Sequence, residues 1–152
     1  MNDHLADEIH NLPVSARDLA FMVLGEKIGY GSSRTVYEYL PDKKYVIKVE
    51  NYSNCFQNVI EYEIWERVQH LKHVAKWFAP CHKISSTGIF LIQERTREPA
   101  KYPEKVPHYF QDIKKSNFGM IGNKFVCHDY GTFIQEAFFD TKRSKKAGWW
   151  DE

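Results

Sequence analysis

The chain has 152 residues, of which 15% are aromatic, and a formal net charge of +1. That length suits a single domain with a real core, and the aromatic content argues against a disordered chain. The near-neutral balance gives no general pull toward nucleic acid or acidic membrane surfaces, so neither is an expected partner.

The cysteines, Cys55, Cys81 and Cys127, cannot all pair, and none forms a C-x-x-C motif. A reducing cytoplasmic compartment is the expectation. Residues 1–10 are acidic and interrupted by charge, unlike a secretory signal, and no apolar run reaches membrane-spanning length.

In chain order, Leu5, Ile9 and Leu12 stand at roughly helical spacing, and Ser15 with Asp18 reads as a capping box opening a short helix through Leu24. Residues 1–24 thus read as an N-terminal helical segment. Lys27-Ile28, Thr35–Leu40 and Lys44–Val49 are rich in β-branched and aromatic residues and are separated by Gly29-Tyr30-Gly31 and Pro41-Asp42, which predicts three antiparallel strands. Residues 56–71 predict a helix, with Ile60, Ile64, Val68 and Leu71 as its apolar stripe and Asn54 as its N-cap. Two further strands, Cys81–Ile84 and Ile89–Glu94, flank the turn Ser85–Gly88. The prolines at 99, 103 and 107 mark residues 95–107 as a linker or irregular turn. Gly122-Asn123, between Phe118–Ile121 and Lys124–Cys127, suits a type II′ hairpin. A short apolar patch from Phe133 to Phe139 and a basic, Trp-ended stretch follow.

Several residues in this pattern carry chemistry. Gly29-Tyr30-Gly31-Ser32-Ser33-Arg34-Thr35-Val36 places glycines where backbone N–H groups can approach phosphate oxygens, although an ordinary tight turn reads the same way. Lys48 is next to last in the third predicted strand, where a lysine is ordinarily solvated, and Glu61 and Glu63 lie on the predicted helix, whose charged faces are ordinarily solvated too. Asp112, Asn117 and Asp129 offer two carboxylates and an amide, the oxygen donors that suit Mg²⁺, while caps and turns are the ordinary use of each alone. His128 has no second histidine or cysteine spaced to make a zinc site with it.

Taken together, Gly29–Val36, Val46-Ile47-Lys48, Glu61, Phe90–Glu94, Asp112 with Asn117 and Asp129-Tyr130-Gly131 resemble, in order, the motifs of the protein kinase superfamily: the glycine-rich loop, the V-A-I-K strand, the helix glutamate, the strand before the hinge, H-R-D-L-x-x-x-N and D-F-G. The resemblance covers about Glu26 to Gly131. It departs from the family at Arg34, which replaces the third glycine, and at Phe110-Gln111, which replace His-Arg.

The resemblance implies an α+β, kinase-like fold. A five-stranded antiparallel N-lobe sheet with one regulatory-type helix would occupy residues 25–96, and a strongly reduced C-lobe residues 97–140, before a basic and aromatic tail, 141–152. It implies an ATP- and Mg²⁺-dependent phosphotransferase acting on a protein or small-molecule hydroxyl, of the kind found in bacterial or phage accessory proteins. Asp112 would be the catalytic group and Lys114 would lie near the γ-phosphate. Gly29, Gly31, Ser32, Arg34, Lys48, Glu61 and the backbone around Glu94 would hold the nucleotide, and Asn117 and Asp129 the metal. Because the platform for a peptide substrate is missing, the alternative is a pseudokinase-like module that acts by occupying a partner protein. The tail, with Trp149 and Trp150, and the patch Phe133–Phe139 are the candidate contact surfaces.

Overall fold

The computed structural model describes residues 20–131, 134 and 139–151. The predicted helix over residues 3–11 lies outside them, as does most of the next one. The described helical turn ends at residue 23, because Leu24 already pairs with Tyr39 in the first strand. The architecture is α+β, in two compact units. One comprises residues up to Val59 and Cys81–Arg95, the other Ile60–Pro80 and residues from Thr96 onward.

The first unit is built on an antiparallel sheet of five strands: β1 (Leu24–Tyr30), β2 (Arg34–Tyr39), β3 (Tyr45–Glu50), β4 (Cys81–Ile84) and β5 (Phe90–Glu94), in the order β1-β2-β3-β5-β4. The register sorts the side chains, since directly paired residues share a face. Tyr37 faces Ile47, which faces Ile92, and Val49 faces Phe90. These form an apolar cluster with Val23, Leu24, Tyr39 and Ile89. The other face carries Val36, Lys48 and Leu91 in one row and Val46, Gln93 and Cys81 in the next. The Glu38–Arg95 ion pair, at 2.9 Å, ties β2 to the residue after β5.

Helix α1 runs Gln57–Val68 and a short α2 runs Lys72–Ala75. Asn54 is not the N-cap: it takes a left-handed conformation, φ 62°, in the turn before the helix. The Glu50 carboxylate does the capping, accepting the Asn58 N–H at 2.9 Å near the positive end of the helix. The apolar stripe is also rotated from the predicted one. Asn58, Glu61, Ile64 and Val68 are buried, while Ile60 is 38% exposed and Leu71 lies beyond the helix. Asn58 and Glu61 are buried because their side chains satisfy backbone groups there, as described below.

The second unit contains two ribbons. β7 (Phe118–Ile121) and β8 (Lys124–Cys127) form the predicted hairpin. Gly122 has φ +58° and Asn123 does not have a positive φ, as a type II′ turn requires. β6 (Lys105–Pro107) pairs with β9 (Ser144–Lys146), so part of the predicted linker and part of the basic tail are strands. Gly119 is a point of close approach: a Cβ there would lie 2.5 Å from the Thr96 side chain and 3.1 Å from the Arg97 carbonyl. The core is aromatic, with Phe78 at its centre among Tyr109, Phe110, Tyr130 and Phe139. Burial pushes the Tyr109 hydroxyl well above its ordinary range. Among the described residues, no helix is long and apolar enough to cross a membrane.

Candidate functional site

In the first unit, the glycine segment is a tight connection between β1 and β2. The Gly31 N–H donates to the Arg34 carbonyl at 2.9 Å. Asn51 fixes the turn from below: its Nδ2 donates to the Gly31 carbonyl at 2.8 Å, its N–H to the Ser33 carbonyl at 2.8 Å, and its Oδ1 accepts the Thr35 hydroxyl at 2.6 Å. Ser32 is exposed at the tip. Arg34 turns inward, is buried, and donates to Asn58 Oδ1 at 3.2 Å.

Neither Gly29 nor Gly31 has a positive φ, and an added Cβ would meet nothing nearer than 3.6 Å and 3.7 Å respectively. Folding therefore does not require glycine here, but close approach of a ligand would. Gly31→Ala is expected to leave stability unchanged or raise it by up to about 1 kcal/mol, measured by urea denaturation, while weakening any nucleotide that the loop backbone holds.

Lys48 is 3% exposed on the Val36–Leu91 face of the sheet, which removes the reading of a solvated surface lysine. Asn58 stabilises its strand, donating to the carbonyls of Lys48 (3.2 Å), Gly88 (3.0 Å) and Ile89 (2.8 Å). Glu94 ends β5 opposite Tyr45, and the neighbouring Arg95 N–H is taken by the Lys44 carbonyl at 2.8 Å.

In the second unit, Asp112, Asn117 and Asp129 come together. Lys115–Asn117 form a short 3₁₀ turn, and the buried Asn117 donates its Nδ2 to Asp112 Oδ2 at 3.1 Å. The Asn117 carbonyl accepts the N–H groups of His128 (2.9 Å) and Asp129 (3.3 Å), which joins the two loops. His128 reinforces the joint. Its Nε2 faces the Ser116 carbonyl at 2.8 Å and so must donate, which leaves Nδ1 to accept the Thr96 hydroxyl at 2.7 Å. Asp112, Asp129, Phe110, Tyr130 and Ile134 line one small cleft. Asp129 is exposed at its mouth.

Of Glu61 and Glu63, Glu61 is the buried one. It is fully buried, and its Oε2 accepts the N–H groups of Tyr130 at 3.0 Å and Gly131 at 3.1 Å, whereas Glu63 is exposed. The Tyr130 hydroxyl donates to the Ala79 carbonyl at 2.8 Å. The Asp129-Tyr130-Gly131 turn is thus held by its backbone and by its tyrosine, with the Asp129 carboxylate at the surface.

The aromatic tail packs against this unit. Trp149 donates Nε1 to the Pro103 carbonyl at 2.7 Å and packs on Tyr102, Phe118 and Phe125. In the other patch, Phe133 and Phe138 lie outside the described residues. Ile134 bridges to Phe110, and Phe139 is buried.

Sequence reasoning missed Glu50, Asn51, Asn58 and the Thr96–His128–Ser116 link. Polar residues just after the third predicted strand and in the first helical turn were the signal available for the first three. No protein-family model matches the chain, and no curated protein sequence matches it.

Among the described residues, no group of three or more His, Cys, Asp or Glu side chains could hold a metal ion. Asn117 and Asp129, joined through the Asn117 carbonyl, offer an amide and a carboxylate oxygen, donor types that Mg²⁺ accepts alongside phosphate oxygens and water.

Proposed function

We propose that the chain is a small kinase-like phosphotransferase that uses ATP with Mg²⁺. The observation that carries this reading is the join at Asn117, whose amide holds Asp112 and whose carbonyl holds the Asp129 backbone, so that a proton acceptor and a metal ligand share one cleft. The sheet order β1-β2-β3-β5-β4, with a buried lysine, Lys48, on β3 and a buried glutamate, Glu61, on α1, supports the kinase-like fold.

In this reading Asp129 and the Asn117 amide oxygen would hold the metal. Bound there, Mg²⁺ would offset the charge of the phosphoryl group in transfer. Asp112 orients the acceptor hydroxyl and takes its proton as the oxygen bonds to the γ-phosphorus and the bond from that phosphorus to the β–γ bridging oxygen breaks, with ADP as the leaving group. Asn117 holds Asp112 in place for that step. Lys114 would lie near the γ-phosphate, and the resemblance implies a phosphate-binding role for Lys48 in the first unit. The acceptor is a protein or small-molecule hydroxyl.

A second reading, a kinase-like module that binds a partner protein without transfer, draws on Arg34. Its guanidinium is spent on Asn58 instead of being free at the loop tip. With Trp149 packed inward, such a partner would meet Trp150 and the lysines of the tail.

The deciding measurement is melting temperature against ATP and Mg²⁺ for wild type and Asp129→Ala. Nucleotide at 100 times its dissociation constant adds about 2.7 kcal/mol of stability. The expected result is a rise in wild type that Asp129→Ala loses. No rise at millimolar ATP would overturn the phosphotransferase reading and favour the binding module.

A further inference from the structure

The 112–117 loop is braced by a segment far away in sequence. β9 pairs with β6, and the chain then returns to the loop. The Lys115 N–H donates to the Trp150 carbonyl at 3.0 Å, the Trp150 N–H reaches the Ile113 carbonyl at 3.4 Å, and Lys114 and Trp150 form a parallel bridge.

Two adjacent lysines are sorted by this contact. Lys114 is extended, φ −81° and ψ 130°, so successive side chains leave on opposite sides. Lys115 Nζ pairs with Asp151 Oδ2 at 2.8 Å, and the hydrogen bond to Asp151 raises its pKa above the ordinary lysine value. Lys114 Nζ lies over the Trp150 ring, 5.5 Å from its centroid. Trp150 is 47% exposed, so burial alone does not explain the contact.

We infer that Trp150 is a positioning residue for Lys114, holding its ammonium where a terminal phosphate would be met. This rests on the phosphotransferase reading and adds to it a determinant of ATP over ADP. Trp150 does not touch the nucleotide. Its ring restricts a flexible four-carbon stem, and its π face attracts the cation. Lys115, on the opposite side, pairs with Asp151 and lies over the Tyr102 ring instead.

The test measures dissociation constants for Mg-ATP and Mg-ADP by titration calorimetry on wild type, Trp150→Ala, Trp150→Phe, Lys114→Ala and the double variant Trp150→Ala/Lys114→Ala. Trp150→Ala is expected to reduce the ATP-over-ADP preference about 2- to 5-fold, as an exposed cation–π contact allows. Trp150→Phe is expected to recover part of that preference. In the Lys114→Ala background, Trp150→Ala should change nothing further, because the ring acts only through the lysine. Equal weakening of ATP and ADP, or an effect that persists without Lys114, would overturn the inference and leave the phosphotransferase reading intact. A wild-type chain that binds neither nucleotide would overturn both.

Discussion

Glu61→Ala is expected to lower the unfolding free energy by about 3–5 kcal/mol. The carboxylate is fully buried and accepts the N–H groups of Tyr130 and Gly131. Truncation leaves those donors unsatisfied inside the protein and opens a void the size of the lost side chain. Glu61→Gln keeps one oxygen and most of the volume, so its loss should be smaller. Urea denaturation of both variants measures the difference. A loss below about 1 kcal/mol for the alanine variant would mean that the two N–H groups find other acceptors or water. The effect should reach the candidate site as well, because the turn held by Glu61 carries Asp129.

Phe78→Ala is expected to cost about 3–5 kcal/mol, the range for removing a buried aromatic ring. The Phe78 ring stands edge-on to Tyr130, with centroids 4.9 Å apart, and 5.3 Å from Phe110. It also meets Tyr109 at 6.0 Å and Phe139 at 6.1 Å. Phe110 leads into Asp112 and Tyr130 follows Asp129, so one ring supports both sides of the cleft. Phe78→Leu fills more of the space and should retain part of the stability. Near-ultraviolet circular dichroism alongside the urea curve separates local loosening from unfolding. A cost under about 1 kcal/mol in the alanine variant would show that the surrounding rings collapse into the void.

The sheet was legible because its strands state their nature locally. Tyr45–Glu50 and Phe90–Glu94 are β-branched and aromatic runs between turns, and Gly122-Asn123 names its own hairpin. The burial of Glu61 was legible only in part. The apolar residues after Glu61 gave the register, but its carboxylate is satisfied by backbone from 69 and 70 residues away. The stripe through Ile60 failed for a related reason. Hydrophobicity alone selects Ile60, whereas the buried face is the one on which Asn58 and Glu61 find their partners. The β6–β9 ribbon was not legible at all. Three-residue strands that set Lys105 opposite Lys146 carry no alternation, and each is a strand only because the other is present. Asp112, Asn117 and Asp129 were each found by spacing. Their joining through the Asn117 carbonyl and the two sides of His128 is tertiary, and no local pattern encodes it.

The β6–β9 ribbon has a consequence in polymer terms. Lys105–Pro107 and Ser144–Lys146 close a loop of chain, and Asp112, Asn117 and Asp129 all lie between them. Closing a loop costs entropy that grows with the logarithm of its length, so one short ladder bears much of the cost of gathering everything it encloses. The order of the cleft thus depends on a pairing to which none of its own side chains contributes.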